Sequence, residues 1–262
     1  MTDEAKALLD AGRLADAIEA VTREVRARPA DETRRTFLFE LLLFAGEWGR
    51  ALKQLDVLAR RDAQSELGAQ VLRNNVAAMR GRERLFAEGV APHFISEPTP
   101  DVDLHLSAIG EWRAGRPAEA RKLLDEAAEA RPPLAGRVDG RGFDDWRDAD
   151  DLVAPVLELV ISDKYTWLPF AQVRRVELGA PRRLRDLVWC AARVETRRGV
   201  VGELFVPALY DGSSRHADEA VRLGRATVWG DEGGLARAAG LRLFLAGAEE
   251  VSIFEARRIE FA

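Results

Sequence analysis

The sequence is poor in the side chains that bind metals or form cross-links: it has one Cys, three His and two Met among 262 residues. Cys190 alone cannot close an internal disulfide, and a chain of this length buries enough apolar surface to fold without one. His93, His105 and His216 are scattered, and Cys190 has no Cys or His at ligand spacing, so no zinc site assembles locally. Long apolar runs are missing too. "FLFELLLFAG" is interrupted by charge and Gly well short of the roughly 18 residues a membrane-spanning helix needs. Neither half is net basic: residues 1–135 carry 20 Lys+Arg against 23 Asp+Glu, and the remainder 19 against 21, for a total of −5. The footprint of a non-specific nucleic-acid binder is therefore absent. The opening residues "MTDEAKALLD" carry acids where a secretory signal needs a basic stretch and an apolar core, which makes the cytoplasm the expected location. G-x-x-x-x-G-K-[ST], G-x-G-x-x-G and G-x-S-x-G are all lacking, so neither phosphate cradle nor nucleophile elbow is expected, and no cofactor or metal.

What the chain does have is a globular composition, 47% hydrophobic and 32% charged. That composition changes near residue 137. Residues before it include 25 Ala and 7 Val; those after it include 17 Ala, 14 Val and 12 of the 19 aromatics, a shift from helix-favouring to strand-favouring side chains. The first half also carries a rhythm. Ala11-Gly12, Ala45-Gly46 and Ala114-Gly115 are each followed, five residues after the Gly, by Ala17, Ala51 and Ala120, and the Gly positions lie 34 and 69 apart. Pro29 and Pro132 fall seventeen residues after the first and last Gly. A turn, a helix with small residues where a partner must approach, and a terminating Pro, at a period near 34, predict tetratricopeptide-like helical hairpins. The copies at the two ends are the clearest, and a diverged middle lies between them. Gly81 has suitable spacing for a further turn but is followed by Phe86, and "GVAPHFISEPTP" contains too many Pro for a continuous helix.

"RVDGRGFDDWRDADD", with six Asp, reads as a connector. Beyond it, "VLELVI", "LVWCAARVE", "GELFVPALY", "RATVWG", "LRLFL" and "VSIFEARRIEF" are short strand-like segments separated by turns such as "SDK" and "RRG", a spacing that predicts antiparallel pairing. Pro207 is expected at an edge or bulge. The predicted architecture is an all-α tetratricopeptide-like domain over residues 1–136, an acidic connector over 137–152, and a smaller, mostly antiparallel α+β domain over 153–262.

Candidate functional residues are few. Asp144, Asp145, Asp148, Asp150 and Asp151 could form a cation site or a dock for a basic partner, but lack the spacing of an oxygen-ligand loop; a solvated linker with capping acids is the favoured reading. Arg185 is expected to pair with Asp186 at the start of a strand, with Trp189 turned inward. Tyr165 and Trp167 share a strand face, as an exposed aromatic anchor or as core. Ser213 and Ser214 near His216 suit turn chemistry better than a nucleophile. In "RNNVAAM", Arg73 and Asn74 precede Asn75, which falls near an apolar helix face; its amide must find either a neighbouring backbone or the backbone of a bound peptide.

Taken in order, "RNNVAAMRGRERLF", "RVDGRGFDDWRDAD", "DADDLVAPVLELV", "YTWLPF", "LRDLVW", "VPALY", "LGRATVW" and the terminal "ARRIEF" resemble the ImpE family, also called TagJ, across nearly the whole chain. The resemblance implies a two-domain, non-catalytic accessory of type VI secretion. It also implies two partners, the small subunit of the contractile sheath, through its N-terminal helix, and the sheath-disassembling AAA+ ATPase ClpV. The competing reading is an enzyme or a ligand-binding module, in which Asp148, Asp150 and Asp151 converge on Arg185 and an aromatic; a general scaffold outside secretion is a third.

Overall fold

The computed structural model describes residues 3–60, 62–199 and 201–262. Helices α1 (Asp3–Asp10) and α2 (Leu14–Ala27), then α3 (Glu32–Phe44) and α4 (Trp48–Ala59), form two antiparallel hairpins, followed by the long α5 (Ala63–Glu88). The short strand β1 (His93–Phe94) leads to a third hairpin, α6 (Pro100–Arg113) and α7 (Pro117–Ala130). Gly12, Gly46 and Gly115 make the three hairpin turns at φ of +79°, +66° and +72°, a conformation that costs Gly little and ends a helix. Ala17, Ala51 and Ala120 are each 0% exposed, as the close approach of paired helices requires. The middle copy, degenerate in sequence, thus folds like the outer two. Gly81, by contrast, makes no turn: it lies inside α5, where an added Cβ would sit 3.4 Å from the Tyr165 Cβ.

The remaining strands are β2 (Gly136–Val138), β3 (Arg141–Phe143), β4 (Trp146–Asp148), β5 (Val156–Ile161), β6 (Lys164–Pro169), β7 (Val173–Leu178), β8 (Trp189–Thr196) and β9 (Val201–Pro207). After the one-turn helix α8 (Glu219–Arg222) come β10 (Thr227–Asp231), β11 (Ala236–Gly240), β12 (Leu243–Ala246), β13 (Glu249–Ser252) and β14 (Arg258–Phe261). The main sheet has the order β1-β6-β5-β9-β8-β7-β14-β2-β3; β13-β12-β4 form a second sheet and β10-β11 a separate ribbon. Pairing is antiparallel except where β1 joins β6, so the helical half lends the main sheet its parallel edge strand. Pro207 stands at the end of β9, opposite Trp189, where a lost donor matters little, and not at an edge or bulge.

The stretch read as an acidic connector, 137–152, is folded. β2 and β3 extend the main sheet past β14, and β4 pairs with β12. Four of its acids take cationic partners from outside the stretch, Arg131 for Asp145, Arg121 for Asp151, Arg237 for Asp150 and Arg242 for Asp148, and Arg147 adds a local pair to Asp151.

The main sheet is covered on both faces. One buried cluster joins the helices to Val156, Val160, Tyr165, Trp167 and Trp189. The other joins Leu157, Leu159, Leu168, Phe170 and Val194 to Phe244 of the second sheet and to Trp146. Alternation along a strand accounts for the division: in "VLELVI", residues 156, 158 and 160 face the helices and 157 and 159 face away. Glu158 is consequently a carboxylate placed between two layers.

Candidate interaction site

Glu158 is fully buried and is met from the helical layer by Arg82, on the inward face of α5. Arg82 Nε donates to Glu158 Oε1 at 2.7 Å, Nη2 to Oε2 at 2.9 Å, and Nη1 to the Leu209 carbonyl at 2.8 Å. Arg242, also fully buried, bridges Glu158 to Asp148, and its Nε donates to the Pro207 carbonyl at 2.8 Å. The Tyr165 hydroxyl donates to Glu158 and accepts the Trp167 indole N–H at 2.7 Å. Tyr210 places its hydroxyl 2.9 Å from Asp148 Oδ1 and accepts the Leu243 N–H at 3.0 Å. Two guanidiniums thus balance two carboxylates in a buried interlayer, the condition under which buried charge is tolerated. Burial alone would raise the Glu158 carboxyl, yet Arg242 and Arg82 hold it down at about 2. Burial of Asp148 outweighs its one guanidinium and pushes that carboxyl up to about 6.

The sequence candidates are distributed by this network. Asp148 belongs to it. Asp150 accepts from the Leu152 and Ala238 amides at 2.9 and 3.0 Å and pairs with Arg237, whose guanidinium lies over the Trp112 ring. Asp151 takes Arg121 and the Ala236 amide, each at 2.9 Å. Tyr165 and Trp167 are core and not an exposed anchor. Arg185 pairs with Glu40 of α3 at 2.9 Å, not with Asp186, whose carboxylate instead accepts from the backbone amides of Arg182 and Arg183. The acids therefore do not converge on Arg185, and the arrangement required by the enzyme or ligand-binding alternative does not form. Arg73 pairs with Asp56 and Glu66, and Asn74 accepts from Gln70 at 2.8 Å. Ser213 Oγ donates to the Tyr210 carbonyl and accepts the Gly240 amide, as turn chemistry predicts. Among the described residues no group of three His, Cys, Asp or Glu side chains is placed to hold a metal, and no helix is long and apolar enough to cross a membrane.

Arg82, Glu158, Arg242 and Tyr210 escaped the sequence reading. A signal was present for two of them: Glu158 interrupts an apolar run, and Arg82 lies seven residues after Asn75 on the apolar stripe of α5.

Asn75 leads elsewhere. It lines an open groove of about 400 Å³ between the N-terminal half of α5 and the face of β8 and β9, together with Gly68, Val71, Leu72, Trp189 and Phe205. Arg182, Arg183, Arg185 and Asp186 form one bank. Across Phe205 the groove meets a second hollow of about 520 Å³ beside Gly179, Ala191 and Leu204. Asn75 and Trp189 are each 2% exposed, yet Asn75 Nδ2 and Trp189 Nε1 have no hydrogen-bond partner among the described residues. Among the described residues neither a neighbouring helix backbone nor another side chain takes the Asn75 Nδ2 donor.

Comparison with known proteins places this architecture. The model of the ImpE protein family matches residues 140–260. The type VI secretion system accessory component TagJ of Pseudomonas aeruginosa is 35% identical over 257 residues, which covers 98% of this chain and 90% of that protein. The crystal structure of protein VPA1032 from Vibrio parahaemolyticus superposes with a TM-score of 0.90 at 24% identity, covering 99% of this chain and 97% of that one, and has the same fold.

Proposed function

The chain belongs to the ImpE family of type VI secretion accessory proteins, and from that premise we propose that it is a non-catalytic cytoplasmic adaptor acting through protein contacts. Its partners in this reading are the small subunit of the contractile sheath, held by its N-terminal helix, and the AAA+ ATPase ClpV that disassembles the sheath. The observation that carries the reading is the near full-length likeness to a relative named as an accessory component. The use of the acidic residues supports it: Asp148, Asp150 and Asp151 are consumed by Arg242, Arg237 and Arg121 inside the fold and serve cohesion in place of chemistry. Stacked helical hairpins present concave surfaces, and an amphipathic helix laid into a groove is one of the recurring ways in which a partner is recognised.

The experiment is a fluorescence titration of a labelled peptide carrying the N-terminal helix of the cognate small sheath subunit against the intact protein, with the N-terminal domain of the cognate ATPase as a second ligand. Saturable binding of the peptide is expected. Absence of binding by both ligands would overturn the adaptor reading.

A further inference from the structure

An open sheet has two edges, and a chain that stays single must keep other strands off both. Most edges here are short or charged. β1 has two residues, β4 three, β3 three with Arg141 at its start, and β13 opens on Glu249 and Glu250. The outer edge of β11 is closed by side chains: Asp151, Asp150 and Ser213 Oγ accept the amides of Ala236, Ala238 and Gly240 at 2.9, 3.0 and 2.8 Å. Because those amides point away from β10, the ladder between the two strands runs through Val228 with Ala239 and Gly230 with Arg237. The N–H and C=O groups of Thr227, Trp229 and Asp231 are therefore turned outward, and among the described residues nothing takes them. At five residues β10 is the longest of these edges, with no Pro, Lys or Arg and its one charge, Asp231, at the end. It is exposed from Trp229 to Asp231, and Trp229 at its centre is 43% exposed.

We propose that β10 is the contact through which two copies of this chain pair, antiparallel about a two-fold axis at Trp229, joining two two-stranded ribbons into one continuous sheet. The pairing is independent of the adaptor reading. A two-fold at Trp229 sets the outward groups in register: Trp229 faces Trp229 of the second copy, and Thr227 faces Asp231 of the second copy. Each is an opposed pair that exchanges both backbone hydrogen bonds. Opposed side chains share a face at about 5.5 Å, so the two indole rings meet and leave water. Charge selects the direction and the occupant. The segment starts at the exposed Arg225, whose guanidinium donates to the Leu9 and Asp10 carbonyls and has no carboxylate partner among the described residues. It ends on the exposed Asp231 and Glu232. Antiparallel pairing sets Arg225 of one copy diagonal to Asp231 of the other, whereas parallel pairing would set acid beside acid. The mate that β10 requires thus has its own length and its own order of charges. So short a ladder is smaller than the roughly 1,200 Å² of a stable interface, which makes the dimer reversible and dependent on concentration.

The test is sedimentation velocity of the full chain across the micromolar range, in which the sedimentation coefficient is expected to rise toward that of a dimer. Trp229→Lys puts a charge on the edge, and Trp229→Pro removes an outward N–H where an edge strand tolerates the loss. Each is expected to raise the dimer dissociation constant by about tenfold or more. Hydrogen exchange at the Arg237 and Ala239 amides, which face β10, reports whether the ribbon is intact. If Trp229→Pro loses that protection, Trp229→Lys alone decides. Cysteine trapping under a mild oxidant reads the register, the native Cys190 being buried. Trp229→Cys is expected to link to itself and Asp231→Cys not to, while a mixture of Thr227→Cys and Asp231→Cys chains gives the mixed dimer. A wild type that stays monomeric throughout, a dimer that the Trp229 variants preserve with the ribbon intact, or trapping by Asp231→Cys alone would overturn the proposal. None of these results bears on the sheath-peptide titration, so the adaptor reading stands or falls separately.

Discussion

Replacing Arg82 by Met keeps most of the aliphatic stem and deletes the guanidinium that joins α5 to β5. The loss is worked from its bonds. Two charge-assisted hydrogen bonds to Glu158 disappear, and the buried Leu209 carbonyl loses its donor. Removing one partner of a buried ion pair costs about 3–5 kcal/mol, and the orphaned carbonyl adds about 1–3. Against this, Arg242 and the Tyr165 hydroxyl still hold Glu158. A net destabilisation of about 3–5 kcal/mol follows, or about 6–20 °C in melting temperature for a chain of this size. Urea denaturation followed by circular dichroism at pH 7.5 measures it. The same charge count makes a sharper prediction. In the wild type, Glu158→Gln leaves two guanidiniums facing Asp148 alone and destabilises; in the Arg82→Met background it restores neutrality to the Arg242–Asp148 pair and stabilises. The Arg82→Met deficit also shrinks toward pH 5, where the uncompensated carboxylates take up a proton. A cost below about 1 kcal/mol, or a Glu158→Gln effect of the same sign in both backgrounds, would refute the reasoning.

Two further perturbations test other joints. His105 on α6 is buried with its Nδ1 3.2 Å from the Leu152 carbonyl, and burial lowers its pKa from 6.5 to about 4. The folded state therefore binds fewer protons than the unfolded state between those values, and this group's contribution is lost as pH falls through that window, by up to about 3 kcal/mol. The stability gap between wild type and His105→Gln should narrow from pH 7 to pH 4.5 in urea titrations, and a constant gap would contradict the assignment. Asp150→Ala strands the Leu152 and Ala238 amides and should cost about 2–5 kcal/mol, with faster hydrogen exchange at Ala238 as the local readout; unchanged exchange there would show that Asp150 does not hold β11.

The helical half was legible because its signals are local. A Gly that turns, an Ala that permits close approach and a Pro that stops recur within 34 residues, and each acts on its own neighbourhood. The strands of the second half were legible for the same reason. Long-range pairing was not. "RVDGRGFDDWRDADD" has the composition of a linker, and its membership of two sheets depends on β14 and β12, about a hundred residues further on. The role of Asp148 likewise depends on Arg242, 94 residues away. Asn75 shows the intermediate case: its place near an apolar helix face was visible in the pattern of α5, but the open groove beside it forms only when β8 and β9 arrive with Trp189 and Phe205.

The most direct test of the account replaces Val71 with the photo-crosslinking residue p-benzoylphenylalanine, irradiates the protein with the intact cognate small sheath subunit, and maps the adducts by mass spectrometry. Val71 lies on the groove side of α5, so the account predicts adducts within the N-terminal helix of the sheath subunit, and none when the probe is moved to Arg141 on the far strand β3. Adducts formed from Arg141 but not from Val71 would contradict it.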